Sequence, residues 1–291
     1  MTEWAGVRGK RVLITGATHG IGLAGAEALA RRGAHVAIVA RNAARAVDAV
    51  RRIEAAGGSK VDVLHTDLSS QASVRALAAE AVERYPSIEV LVNNAGAMFT
   101  TRHLTEDGIE QTWALNHLAP FLLTTLLLDR LKASAPARII TTTSDAHKGK
   151  LIPFDDISAE RSYRGMGFTR YGESKLANIL FTAELSRRLQ GTGVTAYCFH
   201  PGLVATGFNR NNGGLMSAAM LLMAPFSKTP RKAARTLVWL ADSPDVSTQS
   251  GGYYVNRSLA VTSKPAQDPA VARRLWELSE QQVGLKPVAG S

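Results

Sequence analysis

Tyr171 and Lys175 stand four residues apart in Tyr171-Gly-Glu-Ser-Lys175, inside a run that reads as helix. Side chains at that spacing share one helix face, so an ammonium is brought beside a phenol. A free tyrosine has a pKa of about 10, which makes it a poor proton-transfer group at neutral pH. A neighbouring fixed positive charge favours the phenolate. The pairing therefore predicts that Tyr171 donates and accepts a proton, with Lys175 drawing its pKa toward the range useful for acid/base work. Tyr163 is the internal contrast, because Gly167 occupies its fourth position onward and no such partner is present.

Ser144 follows a β-branched stretch over 138–143 that reads as the fifth strand. Ligands of open parallel sheets sit at the carboxyl ends of strands, so this hydroxyl is placed to hydrogen-bond a substrate carbonyl. Near the start, a strand over 11–15 meets Gly16-Ala-Thr-His-Gly20-Ile-Gly22, and a helical pattern then runs through Arg32 to a stop at Gly33. Glycines let the backbone turn sharply and approach a pyrophosphate, whose charge a helix N-terminus favours. That register makes Gly16, Thr18, His19, Gly20, Ile21 and Gly22 candidate cofactor contacts. A second strand over 35–40 ends in Ala40 and Arg41, where an acid would serve an NAD ribose. An arginine suits a 2′-phosphate instead, with His19 adding to it, so NADP(H) is expected in preference to NAD(H). Asp67 and Leu68 fall just past the third strand, where the carboxylate can accept from an adenine amine. Asn93-Asn-Ala-Gly96 closes the fourth strand. The small Ala95 and Gly96 let the backbone lie close to a cofactor, and Asn93 is expected to pin neighbouring strands. Pro201, Gly202, Val204 and Thr206 follow the sixth strand and supply a turn and a hydroxyl for the nicotinamide carboxamide.

These residues need a scaffold, and the remaining pattern supplies one. Helical stretches over 43–56, 70–85 and 107–131 alternate with strands over 60–65, 88–92 and 138–143. A helix over 231–242, a short strand over 252–255 and an amphipathic helix over 270–282 complete the chain. Such alternation implies parallel strands with right-handed crossovers. The expected fold is α/β: a Rossmann-type doubly wound parallel sheet of about seven strands, with helices on both faces. One domain spans 1–291, with substrate-loop insertions at 145–170 and 207–230. Asn116 lies inside an apolar face of the long helix. A buried amide needs partners, so it marks a water site or a helix distortion. Asp155-Asp156 reads as a solvated turn. Met216, Met220 and Met223 sit in the second insertion. Methionines adapt to irregular apolar partners, which fits a lid over a lipophilic substrate, packing between helices, or contact with another subunit or a membrane surface.

Composition narrows the functional classes. At 45% apolar and 20% charged, the chain is ordinary for a soluble globular protein. The longest apolar stretch, 215–226, includes Ser217 and Pro225 and falls short of the ~18 residues a membrane span requires. No integral membrane segment is expected, and Met1-Thr-Glu-Trp carries no apolar core of a signal peptide. The net charge of +10 and pI of about 10.0 raise nucleic acid as a partner. Its basic residues are dispersed as pairs such as Arg31-Arg32, Arg51-Arg52 and Arg187-Arg188, which reads as solvated surface. Cys198, the single cysteine, excludes an internal disulfide, and its strand context reads as buried and inert. The seven histidines lack metal-ligand spacing, so no metal is expected.

Taken in order, Thr15-Gly-x-x-x-Gly-x-Gly22, Asn93-Asn-Ala-Gly96, Asn116, Ser144, Tyr171-x-x-x-Lys175 and Pro201-Gly202 resemble the short-chain dehydrogenase/reductase family over nearly the whole chain. The resemblance implies that Asn116, Ser144, Tyr171 and Lys175 form a catalytic tetrad. In that scheme Tyr171 protonates a carbonyl oxygen as the cofactor's hydride reaches carbon, and Ser144 holds the oxygen. Lys175 binds the nicotinamide ribose and lowers the tyrosine pKa, while Asn116 holds a water of a proton relay. Ser174-Lys-Leu-Ala-Asn-Ile-Leu-Phe-Thr-Ala-Glu-Leu185, Phe154-Asp-Asp-Ile157 and Ala270-Val-Ala-Arg-Arg-Leu-Trp-Glu-Leu278 are similar to the retinol dehydrogenase and WW-domain oxidoreductase branch. The N-terminal membrane anchor common there is not expected here. The implied protein is a cytoplasmic NADP(H)-dependent oxidoreductase of lipophilic aldehydes or ketones, assembled as a homodimer or homotetramer. The alternative is a cofactor-sensing regulator on the same fold, although relatives of that kind tend to lack the Tyr and Lys pair.

Overall fold

Runs such as Val12-Leu-Ile-Thr15 and Val36-Ala-Ile-Val-Ala40 are apolar on both faces, the pattern of strands covered by helices from two sides. In the computed structural model, which describes residues 4–57, 59–203, 228–246 and 249–285, they form β1 (Arg11–Thr15) and β2 (His35–Ala40). The sheet continues with β3 (Asp62–His65), β4 (Val90–Asn93), β5 (Ala137–Thr142), β6 (Val194–His200), β7 (Tyr253–Val255) and β8 (Ser258–Leu259). Their order is β3-β2-β1-β4-β5-β6-β7-β8. All neighbours are parallel except the last pair. The eighth strand goes beyond the expected seven. Asn256 and Arg257, at φ 53° and 66°, make the two-residue left-handed turn that folds β8 back on β7.

Side-chain alternation divides the core between the two faces of the sheet. Val12 and Ile14 pack with Leu23 and Leu29 of α1 (Gly20–Ala30) and Ile53 of α2 (Ala43–Gly57). Leu13 packs on the opposite side with Leu77 of α3 (Gln71–Arg84). Ser70 caps α3, its hydroxyl accepting from Ser73 N at 3.2 Å.

The stretch expected as one helix over 107–131 is built in pieces. Glu110 precedes the first helical piece and caps it, its carboxylate accepting from Thr112 N and Trp113 N at 2.8 and 2.9 Å. After α4 (Gln111–Trp113) the chain widens into a π turn over Ala114–Leu118, then continues as α5 (Ala119–Leu126) and α6 (Leu128–Ala133). Asn116 sits in that wide turn, so the helix distortion is realised. Its carbonyl accepts from Asn178 Nδ2 at 2.8 Å, which satisfies an acceptor that a widened turn frees from the α-helical pattern.

Asn178 belongs to α7 (Phe168–Arg188), which also carries Tyr171 and Lys175. The helices α8 (Pro230–Asp242) and α9 (Pro269–Gln282) complete the two layers. Strand order reverses between β1 and β4, and ligands of such sheets bind in the crevice at this reversal. The glycine turn after β1, the segment after β4 and Ser144 after β5 converge there.

Candidate active site

Helix α7 starts where the chain can pass very close to its neighbours. Gly167 has φ +77°, and a Cβ there would lie 1.9 Å from the Phe99 carbonyl oxygen. Four residues on, Tyr171 enters the crevice, half-buried at its surface yet ringed by protein. Lys175 lies one turn further along with only 2% of its surface exposed. Its Nζ is 5.4 Å from the centre of the Tyr171 ring and donates to the Thr142 carbonyl at 3.2 Å. The Ser144 hydroxyl completes the group through a hydrogen bond with the Tyr171 phenol.

The electrostatics differ from expectation in sign. Burial pushes the Tyr171 phenol up to about 12, and the Ser144 hydrogen bond only partly opposes it. Burial also pushes the Lys175 ammonium down to about 8. The two groups face each other as the spacing required, but in this arrangement desolvation outweighs the attraction of the ammonium for a phenolate.

Asn116 is fully buried and its amide is completely engaged. Oδ1 accepts from Ala97 N at 2.9 Å, while Nδ2 donates to Ala97 O at 2.9 Å and to Ser174 Oγ at 3.0 Å. The side chain thus ties the segment after β4 to α7. A Cβ on Gly96 would stand 3.1 Å from Asn116 Oδ1 and 3.3 Å from Lys175 Nζ, so the backbone passes close beside the buried ammonium.

The glycine turn is equally tight. Gly16 has φ +66°, and a Cβ on Gly22 would fall 2.3 Å from the Gly16 carbonyl oxygen. Asn94, which sequence reasoning passed over, is the hub of this region. Its Nδ2 donates to the carbonyls of Thr15 and Gly16, both at 3.1 Å, and its Oδ1 accepts from Thr142 Oγ1 at 3.3 Å. The backbone N–H groups of Asn94 and Ala95 both donate to Thr15 Oγ1 at 3.0 Å. The ends of β1, β4 and β5 are therefore joined through one amide. Asn93 takes another role: its Nδ2 donates to Thr124 Oγ1 on α5 at 2.9 Å, pinning the sheet to a helix rather than to a neighbouring strand. The repeated Asn in the sequence was the only signal, and which one faces β1 is set by strand register.

A phenol, a serine hydroxyl and a buried ammonium thus meet beside a glycine turn at the carboxyl edge of a parallel sheet. A family model described as short chain dehydrogenase matches residues 10–214. This chain belongs to that family. It is 43% identical over 293 residues to retinol dehydrogenase 14 of Mus musculus, covering 96% of this chain and 87% of the relative. A Streptomyces sp. (strain C5) protein provisionally named daunorubicin C-13 ketoreductase is 40% identical over 283 residues, covering 97% of this chain and 96% of that one. A crystal structure of a short chain dehydrogenase from Burkholderia cenocepacia in complex with NADP superposes with TM-score 0.69 at 27% identity, covering 90% of this chain and 99% of its own. The protein is accordingly an oxidoreductase of the short-chain dehydrogenase class, acting on CH–OH groups.

The remaining residues of this dehydrogenase fall around that centre. The first turn of α1 carries no acid, and His19 precedes it in extended backbone at φ −161°, with Thr18 Oγ1 3.4 Å from its Nδ1. Glycines at Gly16, Gly20 and Gly22 with an acid-free helix start fit a dinucleotide pyrophosphate. Ile21 leans on the core between the sheet and α1, and Leu68 on the opposite one. Arg41 and Asp67, which follow different strands, lie together: Arg41 Nη1 is 3.7 Å from Asp67 Oδ2, both side chains exposed. Burial raises the Asp67 pKa, but the Ser69 hydroxyl and N–H together with the Arg41 charge bring it below the usual value. Gly202 has φ +89°, and Lys228, an unanticipated neighbour, donates from Nζ to the Pro201 carbonyl at 3.3 Å and to Asn256 Oδ1 at 2.6 Å. Val204, Thr206 and the methionine-rich stretch lie outside the described residues.

A second buried group stands behind α7. Arg170 Nε donates to Glu110 Oε2 at 2.8 Å, Nη1 to Glu173 Oε2 at 3.3 Å, and Nη2 to the Ile157 carbonyl, with the guanidinium over the Trp113 ring. Tyr163 joins it, donating to the Phe99 carbonyl at 2.8 Å. Asp155 pairs with Arg161 at the surface, as a solvated turn should. Cys198 is buried, and burial pushes its thiol up to about 12. Among the described residues no helix is long and apolar enough to cross a membrane.

Proposed function

We propose that this dehydrogenase uses NADP(H) to interconvert lipophilic aldehydes or ketones with their alcohols. The observation that carries the reading is the hydrogen-bonded Ser144 and Tyr171 pair with the Lys175 ammonium over the phenol ring. When bound, the nicotinamide supplies or accepts a hydride. The chain's own residues manage the oxygen. Ser144 and Tyr171, already joined by a hydrogen bond, can both reach one substrate oxygen, so Ser144 holds it and Tyr171 gives it a proton. With its pKa raised, the phenol keeps that proton at neutral pH, which suits it as the acid in carbonyl reduction. In the reverse direction the phenolate takes the proton, and a nearby Lys175 charge favours that form. Asn116 orders the wall behind them, and the relay water assigned to it by resemblance belongs to the same proposal.

Gly16 to Gly22 would hold the pyrophosphate, Arg41 a 2′-phosphate and Asp67 with Leu68 the adenine. Asn93, Ala95 and Gly96 would line the nicotinamide half, with Pro201, Gly202, Val204 and Thr206 at the carboxamide. Leu151, Met166 and Phe168 are exposed by 68%, 63% and 51% in the segment leading to Tyr171, an apolar approach that favours lipophilic substrates. Two relatives are named for retinol and for a daunorubicin ketone. The reading extends to a cytoplasmic homodimer or homotetramer, testable by fractionation and sedimentation.

The deciding experiment follows cofactor oxidation with NADPH and NADH in parallel, against retinaldehyde, smaller aldehydes and ketones, and the corresponding alcohols. Turnover with NADPH on apolar carbonyls is the expected result. Tight cofactor binding with no turnover on any of them would return the non-catalytic sensor.

A further inference from the structure

The peptide group that joins Ser144 to Asp145 is held at both ends by imidazoles. Its carbonyl oxygen, on Ser144, lies 2.7 Å from His147 Nδ1, and its N–H, on Asp145, donates to His200 Nδ1 at 3.3 Å. The partners fix both tautomers. Ser263 N donates to His147 Nε2 at 3.3 Å, so that nitrogen carries a lone pair and the proton is on Nδ1, donated to the Ser144 carbonyl. His200 Nδ1 accepts, so its proton is on Nε2, which stands 4.0 Å from Asp145 Oδ2. Each ring works only when neutral. A second proton on His147 would oppose the Ser263 N–H, and one on His200 Nδ1 would oppose the Asp145 N–H.

We propose that His147 and His200 are positioning residues for Ser144: two neutral imidazoles of opposite tautomer clamp the Ser144–Asp145 peptide plane, aim the serine hydroxyl at Tyr171, and release it when either is protonated. The inference rests on the reading of Ser144 as the group that holds the substrate oxygen. The clamp draws on three parts of the chain. His147 ends the short 3-10 turn Asp145–His147 and is fully buried, His200 ends β6, and Ser263 comes from the segment before α9. From β7, Tyr253 donates to Asp145 Oδ1 at 2.7 Å and sets its ring edge-on to His147 at 5.4 Å.

The charged neighbours oppose one another. His147 faces Asp145 and Lys148 of its own turn, with the Tyr253 ring on its other side. His200 faces Asp145, Lys148 and His147 from that turn and Lys228 from the segment before α8. Burial is the largest influence on both rings and, with the lysines, outweighs the attraction of Asp145, holding both below the ordinary 6.5. A depressed imidazole is neutral at and above neutral pH, so the clamp is intact there and is lost as pH falls.

Two measurements test this. In the full chain labelled with 15N-histidine, long-range proton–nitrogen spectra at about pH 8 should show a proton on Nδ1 of His147 and on Nε2 of His200. The opposite tautomer or a charged ring at either position overturns the proposal. Turnover of retinaldehyde with NADPH from about pH 5 to 8 is then compared among wild type, His147→Asn, His200→Asn and the two Leu variants. Asparagine offers a donor or acceptor at the δ position without titrating, so the Asn variants should keep most of the neutral-pH rate and lose part of the acid fall. The Leu variants should lose about ten- to hundredfold in kcat with little change in KM. An acid fall unchanged in both Asn variants overturns the clamp. If a variant fails to fold, the wild-type tautomers still decide. A fully active Ser144→Ala would instead refute the catalytic reading while leaving the tautomers as described, so the two failures are separable.

Discussion

Replacing Arg170 by Met strips the Glu110 carboxylate of its cation in a place water does not reach. The two side chains are 2% and 0% exposed and meet at 2.8 Å. Removing one partner of a buried pair costs ~3–5 kcal/mol, because the survivor keeps its charge without compensation. Here Glu110 retains two backbone donors, Thr112 N and Trp113 N, so the lower end applies, about 3 kcal/mol. In a domain of this size each kcal/mol moves Tm by roughly 2–4 °C, giving a fall of about 6–12 °C. The assay is urea and thermal unfolding of Arg170→Met, Glu110→Gln and the double variant. The double variant should recover at least about 1 kcal/mol relative to the sum of the singles, as groups in contact do. Strict additivity, or a cost for Arg170→Met below about 1 kcal/mol, would refute the claim that this pair anchors α7. Arg170 immediately precedes Tyr171, so turnover should fall with stability and recover with it in the double variant.

Tyr171→Phe should lower turnover by about 10²–10⁴-fold, the usual worth of a positioned proton donor, while fluorescence titration still shows NADPH binding. Because the phenol is held at about 12 and only its ionised form takes a proton, alcohol oxidation should quicken steadily as pH rises from neutral; a flat profile would count against Tyr171 as the base. Lys175→Met should abolish turnover yet stabilise the fold by roughly 3 kcal/mol at neutral pH, since a shift from 10.5 to about 8 means the folded state shelters a charge it disfavours. In the wild type that deficit is full below about pH 8 and disappears as pH rises toward 10.5, so Tm should climb over this window in wild type and not in the variant. Arg41→Ala should weaken NADPH about ten- to hundredfold and leave NADH nearly unchanged, as loss of a charge-assisted contact would; equal losses would remove Arg41 from cofactor choice.

Periodicity made most of the scaffold legible. The strands at 11–15 and 35–40 and the helix at 43–57 stand within a residue of where apolar spacing puts them. Asn116 was legible as an anomaly, because an amide in an apolar face demands partners, and Ala97 and Ser174 supply them. Spacing also brought Tyr171 and Lys175 together. The direction of the tyrosine shift was not legible, since desolvation depends on what surrounds the ring and no motif encodes that. Asn94 could not be told from Asn93 without strand register. Arg170 and Glu110 are sixty residues apart, and no motif in the sequence links them. His147 and His200 gain meaning only when β5 and β6 lie side by side. The last strand was missed because two residues carry no periodicity.

The widened turn at Ala114–Leu118 makes this stretch sensitive to insertions and deletions. It acts as one surplus residue absorbed inside a helix, and each residue of a helix advances the following side chains by roughly 100°. Deleting one of the five would close the wide turn into an ordinary α-helical one with its flanking halves still in phase, and the Asn116 carbonyl would return to the α-helical pattern, away from Asn178 Nδ2. Chain length across these five positions is therefore tied to the geometry of the crevice, and natural variation there is expected as substitution, with length changes confined to the loops on either side.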